Sequence, residues 1–255
     1  MRDSTAFKSF DQAQQKLVDN ALRDFLLSGV ALPDSKKERY KEIQSELSTL
    51  SNRFEQNLLD ATDHWMLHIA DEEKLSGLPD TAIALAKDQA VQKGIEGWVF
   101  NLQAPSYIPF IMFADDRSLR QQIYEAYVTR ASEAGPDAGR WDNSEIIDNI
   151  LALRREKAAL LGFDDYVDLA LQTRMAESAN SVSDFLSQLA TAARPSADRE
   201  FLELTAYASQ YGIVELMAWD IPYYGERLRQ QQYEISQEDV RPWFPLDRVL
   251  NGLFE

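Results

Sequence analysis

Residues 219–255 read WDIPYYGERLRQQQYEISQEDVRPWFPLDRVLNGLFE. Trp219-Asp220 opens the stretch, and Pro222 follows where a helix starts. A proline suits a first turn, because the N–H it lacks has no partner there anyway. The paired Tyr223-Tyr224 then leads into a charged helix that continues through Tyr233. Beyond it come Phe244, Leu246, Val249, Leu250, Leu253 and Phe254, too many apolar groups for a solvated tail.

The residues upstream carry the same helical period. Phe10, Leu17, Ala21 and Phe25 predict a helix over about 7–27, stopped by Gly29. Ser35 and Glu38 form a capping-box pattern, and Tyr40, Ile43, Leu47, Leu50, Phe54 and Leu58 step by three or four into one long amphipathic helix. Further helices are expected over about 81–93, from Asp115-Asp116, and after Asn143. Another runs from a Ser181 cap to Pro195, and one more covers about 196–211. Pro105 and Pro109 break the chain around a short apolar segment. Only residues 63–70 and 97–102 change period: Trp65, Leu67 and Ile69 alternate, as do Trp98, Phe100 and Leu102. The expectation is all-α, with one small two-stranded antiparallel ribbon and no linker that splits residues 1–255.

Composition narrows the function. The formal charge is −16, from 42 acidic and 26 basic residues, and a surface of that sign repels phosphate backbones, so nucleic acid is not an expected partner. No apolar run reaches membrane-spanning length, and MRDSTAFKSFDQAQQ has no basic leader with an apolar core. Cysteine is absent, which fits a reducing compartment. A cytoplasmic protein with no membrane partner is expected.

Candidate chemistry is sparse. His64 and His68 are the only histidines. Their four-residue spacing could clamp zinc from a helix, but Trp-Met-Leu between them supplies no glutamate base. On a strand they would lie about 13 Å apart, beyond the reach of one ion. No Gly-x-Ser-x-Gly elbow or Gly-rich phosphate loop occurs. Asp115-Asp116 and Asp164-Asp165 sit where helix N-capping explains them. Trp219, Asp220, Tyr223 and Tyr224 admit two readings. Either the tyrosine hydroxyls line a channel and bond a peptide backbone, or Asp220 caps its helix while the aromatics fill a core.

The ordered set of residues resembles the thimet oligopeptidase family of zinc metallopeptidases. It comprises RDFLLSGVAL (23–32) and LSNRFEQNLLDAT (50–62), then Arg120, Tyr124, Tyr127 and Arg130. Asn149, Arg154, Gly162, Phe163 and Tyr166 follow, then Met175, Phe185 and Leu186, and last the 219–255 stretch. The resemblance implies a multi-helix lobe of a neurolysin-like two-lobed peptidase that flanks a channel for short peptides. It implies zinc in the full-length enzyme, held on the other lobe by His-Glu-x-x-His, a motif absent from residues 1–255. On that reading residues 1–255 form a single lobe truncated at both ends, and 243–255 begin the connection to the missing C-terminal catalytic lobe. No catalytic residue or metal ligand is carried over, and the chain alone is expected to be inactive. A stand-alone helical peptide-binding or interaction module is the alternative.

Overall fold

Helix is the dominant element of the computed structural model, which describes residues 4–254, the side chains of Ala6, Gln237, Glu238 and Arg241 excepted. In chain order the elements are α1 (Thr5–Lys8), α2 (Gln12–Leu27), α3 (Asp34–His64), β1 (Met66–Ile69), α4 (Asp80–Gln92) and β2 (Trp98–Asn101). There follow α5 (Ala104–Phe113), α6 (Arg117–Val128), α7 (Ser144–Leu160), α8 (Tyr166–Leu171), α9 (Ala179–Ser209), α10 (Ile221–Tyr233), α11 (Gln237–Val240) and α12 (Leu246–Phe254). The fold is all-α, and the sheet among the described residues is the expected two-stranded antiparallel ribbon, with Met66 opposite Asn101 and Ile69 opposite Trp98.

Several boundaries differ from those the sequence suggests. The first helix is split, because the Asp11 side chain accepts the Gln14 N–H and Gln14 accepts the Asp11 N–H, a capping box that starts α2 at Gln12. Ser35 lies inside the first turn of α3 rather than at its cap. The β1 strand is shorter than 63–70, since α3 continues to His64 and leaves only His68 on the strand. Pro105 and Pro109 do not break the chain: Pro105 occupies the first turn of α5, and Pro109 sits inside it. Pro195 likewise lies within α9, one continuous helix where two were expected. A proline deletes one ladder bond and crowds one carbonyl, which the many intact turns on either side of Pro195 outweigh. That helix is capped by Ser178, which exchanges backbone-to-hydroxyl bonds with Ser181 at 3.1 Å each.

Packing sorts the residues into two compact units, 1–55 with 144–188, and 56–143 with 189–255. In the first unit, Tyr40 of α3 donates its hydroxyl to the Leu27 carbonyl at 2.8 Å, which ties α3 to α2. The connection between them needs Gly29: its φ is +81°, and a Cβ there would come within 2.9 Å of the Tyr40 ring. Arg39 of α3 grips Glu156 of α7 through two bonds of 2.7 Å, and Lys157 donates to Gln44 at 2.9 Å. Ile43, Ile146, Leu153, Ala158 and Leu169 are buried in this unit.

The second unit is built on the ribbon. Leu67 and Ile69 face its core while Met66 and His68 face out. Phe100 and Phe110 meet edge to face at 4.7 Å between centroids, and Ile111, Leu119 and Ile123 join the same cluster. A smaller cluster joins α9 to α10 through Leu204, Tyr207, Ala208, Tyr223 and Tyr224. Between these two apolar groups lies a set of charged side chains that the sequence does not bring together.

Candidate functional site

The N-terminus of α6 is set by Asp116, whose side chain accepts the Ser118 and Leu119 N–H groups at 2.9 and 3.1 Å. This fixes Arg117 and Arg120, three residues apart and so on adjoining positions of one helix face. Both reach Asp220, which has no solvent access. Arg117 donates from Nε at 3.0 and 3.1 Å and from Nη2 at 2.6 Å. Arg120, itself buried, donates from Nη2 at 3.1 Å. The Met217 N–H adds a bond at 3.1 Å. Asp220 therefore does not cap α10 with its side chain. Its carboxylate joins α6 to the turn ahead of α10 instead. Burial alone would raise the Asp220 carboxyl, but the Arg117 bonds, the Met217 N–H and Arg120 outweigh it and hold the group below the usual carboxylate range.

Asp115 is the second anion. It does not cap α6 either: it accepts from Ser76 Oγ at 2.7 Å, Tyr223 OH at 2.8 Å and Arg227 Nη2 at 2.5 Å. Burial raises it, and these bonds prevail and lower it. Gly77 shapes this corner, with φ at +85° and space so tight that a Cβ would lie 2.7 Å from Asp115 Oδ1. The guanidiniums of Arg120 and Arg227 lie over the Tyr223 ring at 3.9 and 4.6 Å. Burial, then the bond to Asp115, pushes the Tyr223 hydroxyl well above the ordinary phenol value.

The four residues singled out in the sequence fall into one neighbourhood. Tyr223 and Tyr224 meet edge to face at 5.0 Å, and Tyr224 lies 6.4 Å from Tyr207 and 6.0 Å from Tyr211. The Tyr207 and Tyr211 hydroxyls are 3.1 Å apart, and burial with this bond pushes Tyr207 up to about 12. Trp219 is half-buried, packs on the ribbon cluster 6.0 Å from Tyr124, and keeps a buried Nε1 without a partner. Asp220, Tyr223 and Tyr224 are buried. Arg117 and Arg227 are parts of this arrangement that the sequence did not single out, and Asp115 is one that it read only as a helix cap. The Arg-x-x-Arg spacing on α6 was the available signal, but its partner lies 100 positions away.

Chemically the arrangement is a network of charge-assisted hydrogen bonds. A general acid near neutrality needs a raised carboxyl pKa, and both carboxylates here are lowered. The partly open groups at its edge are Arg117, Arg227, Trp219 and Tyr211.

Nor do the residues present fit the zinc that the family resemblance implies. His64 Nε2 accepts from Arg140 Nη1 at 2.7 Å, and its ring leans on Trp141. His68 Nε2 lies 2.6 Å from the Glu96 carbonyl, where it donates. Zinc takes three or four N, O or S ligands. Among the described residues no group of three or more His, Cys, Asp or Glu is placed to hold a metal.

Comparison with known proteins supplies the wider frame. The profile of Peptidase family M3 matches residues 110–255. Oligopeptidase A of Escherichia coli is 48% identical over 256 residues, which take in 100% of this chain and 38% of that protein. The probable cytosolic oligopeptidase A of Arabidopsis thaliana is 38% identical over 264 residues, 100% of this chain and 37% of its own length. Dipeptidyl carboxypeptidase of Escherichia coli is 30% identical over 247 residues, 96% of this chain and 36% of its own. This chain thus spans less than two fifths of the relatives it matches, and it belongs to Peptidase family M3.

Proposed function

We propose that this chain forms one wall of the substrate channel of a zinc metalloendopeptidase that hydrolyses short oligopeptides. The observation that carries the reading is the match of the whole chain to oligopeptidase A of Escherichia coli at 48% identity. In this reading residues 1–255 form one helical lobe without catalytic groups. Residues 243–255 begin the connection to a C-terminal lobe that carries His-Glu-x-x-His and the zinc. The chain by itself is inactive, and the enzyme works in the cytoplasm on short peptides. The name of the Arabidopsis relative supports that compartment. Among the described residues no helix is long and apolar enough to cross a membrane.

Trp219, Asp220, Tyr223 and Tyr224 border the channel in different ways. Trp219 is the half-buried member that a peptide can reach. Asp220 and Tyr223 work from behind, because their polar atoms already hold arginines and Asp115. They fix where α10 begins and so shape the wall.

A chimera tests this directly. The matching segment of Escherichia coli oligopeptidase A is replaced by residues 1–255, and hydrolysis of quenched peptides of increasing length is followed. A chelator-sensitive peptidase that rejects long and folded substrates is expected. A folded, zinc-loaded chimera with no hydrolysis of short peptides would overturn the reading.

A further inference from the structure

Helices α3 and α7 run antiparallel: Arg39 meets Glu156 and Gln44 meets Lys157, while residues 51–55 face 147–154. The latter segments enclose an open groove of about 300 Å³, walled by Phe54, Ile147, Ile150 and Leu151. That volume is at the small end of ligand sites. Ser51 and two charged residues, Glu55 and Arg154, complete the lining. Because the helices are antiparallel, Glu55 lies toward the Ile147 end and Arg154 is at the other.

Arg154 is an anomaly in this chain. Acidic residues outnumber basic ones 42 to 26, yet half-buried Arg154 has no ion pair or hydrogen bond among the described residues and only the Tyr166 ring beneath it at 5.0 Å. Its neighbour one turn on, Lys157, bonds a neutral amide, Gln44. Burial and the Arg154 charge lower the Lys157 ammonium pKa. Arg154 lines the groove and Lys157 does not, so the Arg154 guanidinium is the cation the groove offers an anion. Glu55 is also without a bonded partner among the described residues, and its free carboxylate suits a cation.

We infer that this groove binds a short zwitterionic peptide with apolar side chains, its carboxylate on Arg154 and its amine on Glu55. Seven helical residues separate Ile147 from Arg154, about 10 Å of axis. An extended chain covers about 3.3 Å per residue, so two or three residues fill the span. A fatty acid would satisfy Arg154 but lay hydrocarbon against the Glu55 carboxylate, which is unfavourable. The inference stands on this groove alone and does not depend on the channel reading.

Titration calorimetry on the whole chain tests it, with the tripeptide Leu-Val-Leu as probe, its amidated and acetylated forms, and decanoate. The free tripeptide is expected to bind, and amidation or acetylation to weaken it about tenfold, the loss of one charge-assisted bond. In Arg154→Gln the free and amidated peptides should bind alike, and in Glu55→Gln the free and acetylated ones. Leu151→Asp, at a position 56% exposed, should abolish binding and leave the circular dichroism unchanged. No binding of the free tripeptide, equal binding of the blocked forms, or equal binding of decanoate would overturn the inference. The blocked peptides decide the matter on the unaltered chain even if a variant fails to fold.

Discussion

Arg120 and Asp220, 100 positions apart in the chain, form a buried ion pair at 3.1 Å, with Asp220 wholly shielded from water. An ion pair so placed is expensive to break, because removal of one partner strands the other charge in a low dielectric. Asp220→Ala should therefore lower stability by about 3–5 kcal/mol. Arg117→Ala should cost about 1–2 kcal/mol, since Arg120 and the Met217 N–H still hold the carboxylate. Urea unfolding of both variants checks the ranking. A loss below about 1 kcal/mol for Asp220→Ala would mean that the network does not hold the second unit together.

The same two carboxylates predict an acid limit. Asp115 and Asp220 are lowered in the folded chain, so the unfolded chain binds protons more readily. Their stabilisation is complete well above the unfolded aspartate value of about 3.9 and is lost as pH falls below it toward the folded values. Unfolding midpoints measured from pH 6 downward should hold roughly level to about pH 5 and then drop. Asp115→Asn should flatten part of that drop. A profile unchanged by this substitution would remove Asp115 from the account.

At the alkaline end the sign reverses. Tyr207 is raised to about 12 and Tyr223 is also raised. Their neutral forms stabilise the fold fully below the unfolded tyrosine value of about 10, and this contribution is lost as pH climbs through the folded values. Phenolate absorbance should show an ordinary group of tyrosines, followed by a late group that ionises together with loss of the helical circular dichroism. Simple titration of all ten tyrosines near pH 10, with the fold intact, would contradict the burial of Tyr207 and Tyr223.

The helices and ribbon were legible because each depends on a local period, and Asp116 and Asp165 cap as their positions suggest. The misreadings have a common physical origin. Pro109 and Pro195 carry a strong local penalty, but packing and intact neighbouring turns decide whether the helix survives it. Asp115 looks like half of a capping pair, while its Tyr223 partner is 108 positions away. Asp220 looks like a cap for the same reason. The site's aromatic half was visible as a Trp-Asp and Tyr-Tyr cluster. Its cationic half depends on long-range pairing, which no window of sequence displays.

Zinc content and hydrolysis are expected to be absent together in the isolated chain. His64 and His68 have their Nε2 atoms engaged by Arg140 and the Glu96 carbonyl, and the sequence holds no third imidazole. Metal analysis after dialysis, run beside a quenched-peptide assay, gives both readings. One equivalent of zinc with chelator-sensitive cleavage would place a metal site on this chain and sink the division of labour proposed above.

The end of the described chain supplies the last test. Helix α12 has no buried residue: Leu246, Val249, Leu250, Leu253 and Phe254 are all exposed, Phe254 by 86%. Trp243 and Phe244 ahead of it are exposed as well. Full burial of one such side chain is worth about 1.5–3 kcal/mol, so covering even two of them would rival a sizeable part of a typical domain stability of about 5–15 kcal/mol. In the isolated chain this face should therefore fray or associate with a second copy. Sedimentation should show a concentration-dependent dimer, or hydrogen exchange should show fast amides from 243 onward. Leu250→Asp with Phe254→Asp should remove the dimer and, with it, the rise of melting temperature with concentration, while the melting temperature of the dilute monomer stays unchanged, because neither side chain is buried there. A strict monomer with slow exchange through Phe254 would mean that this helix needs no cover, and the proposed connection to a catalytic lobe would lose its structural motive.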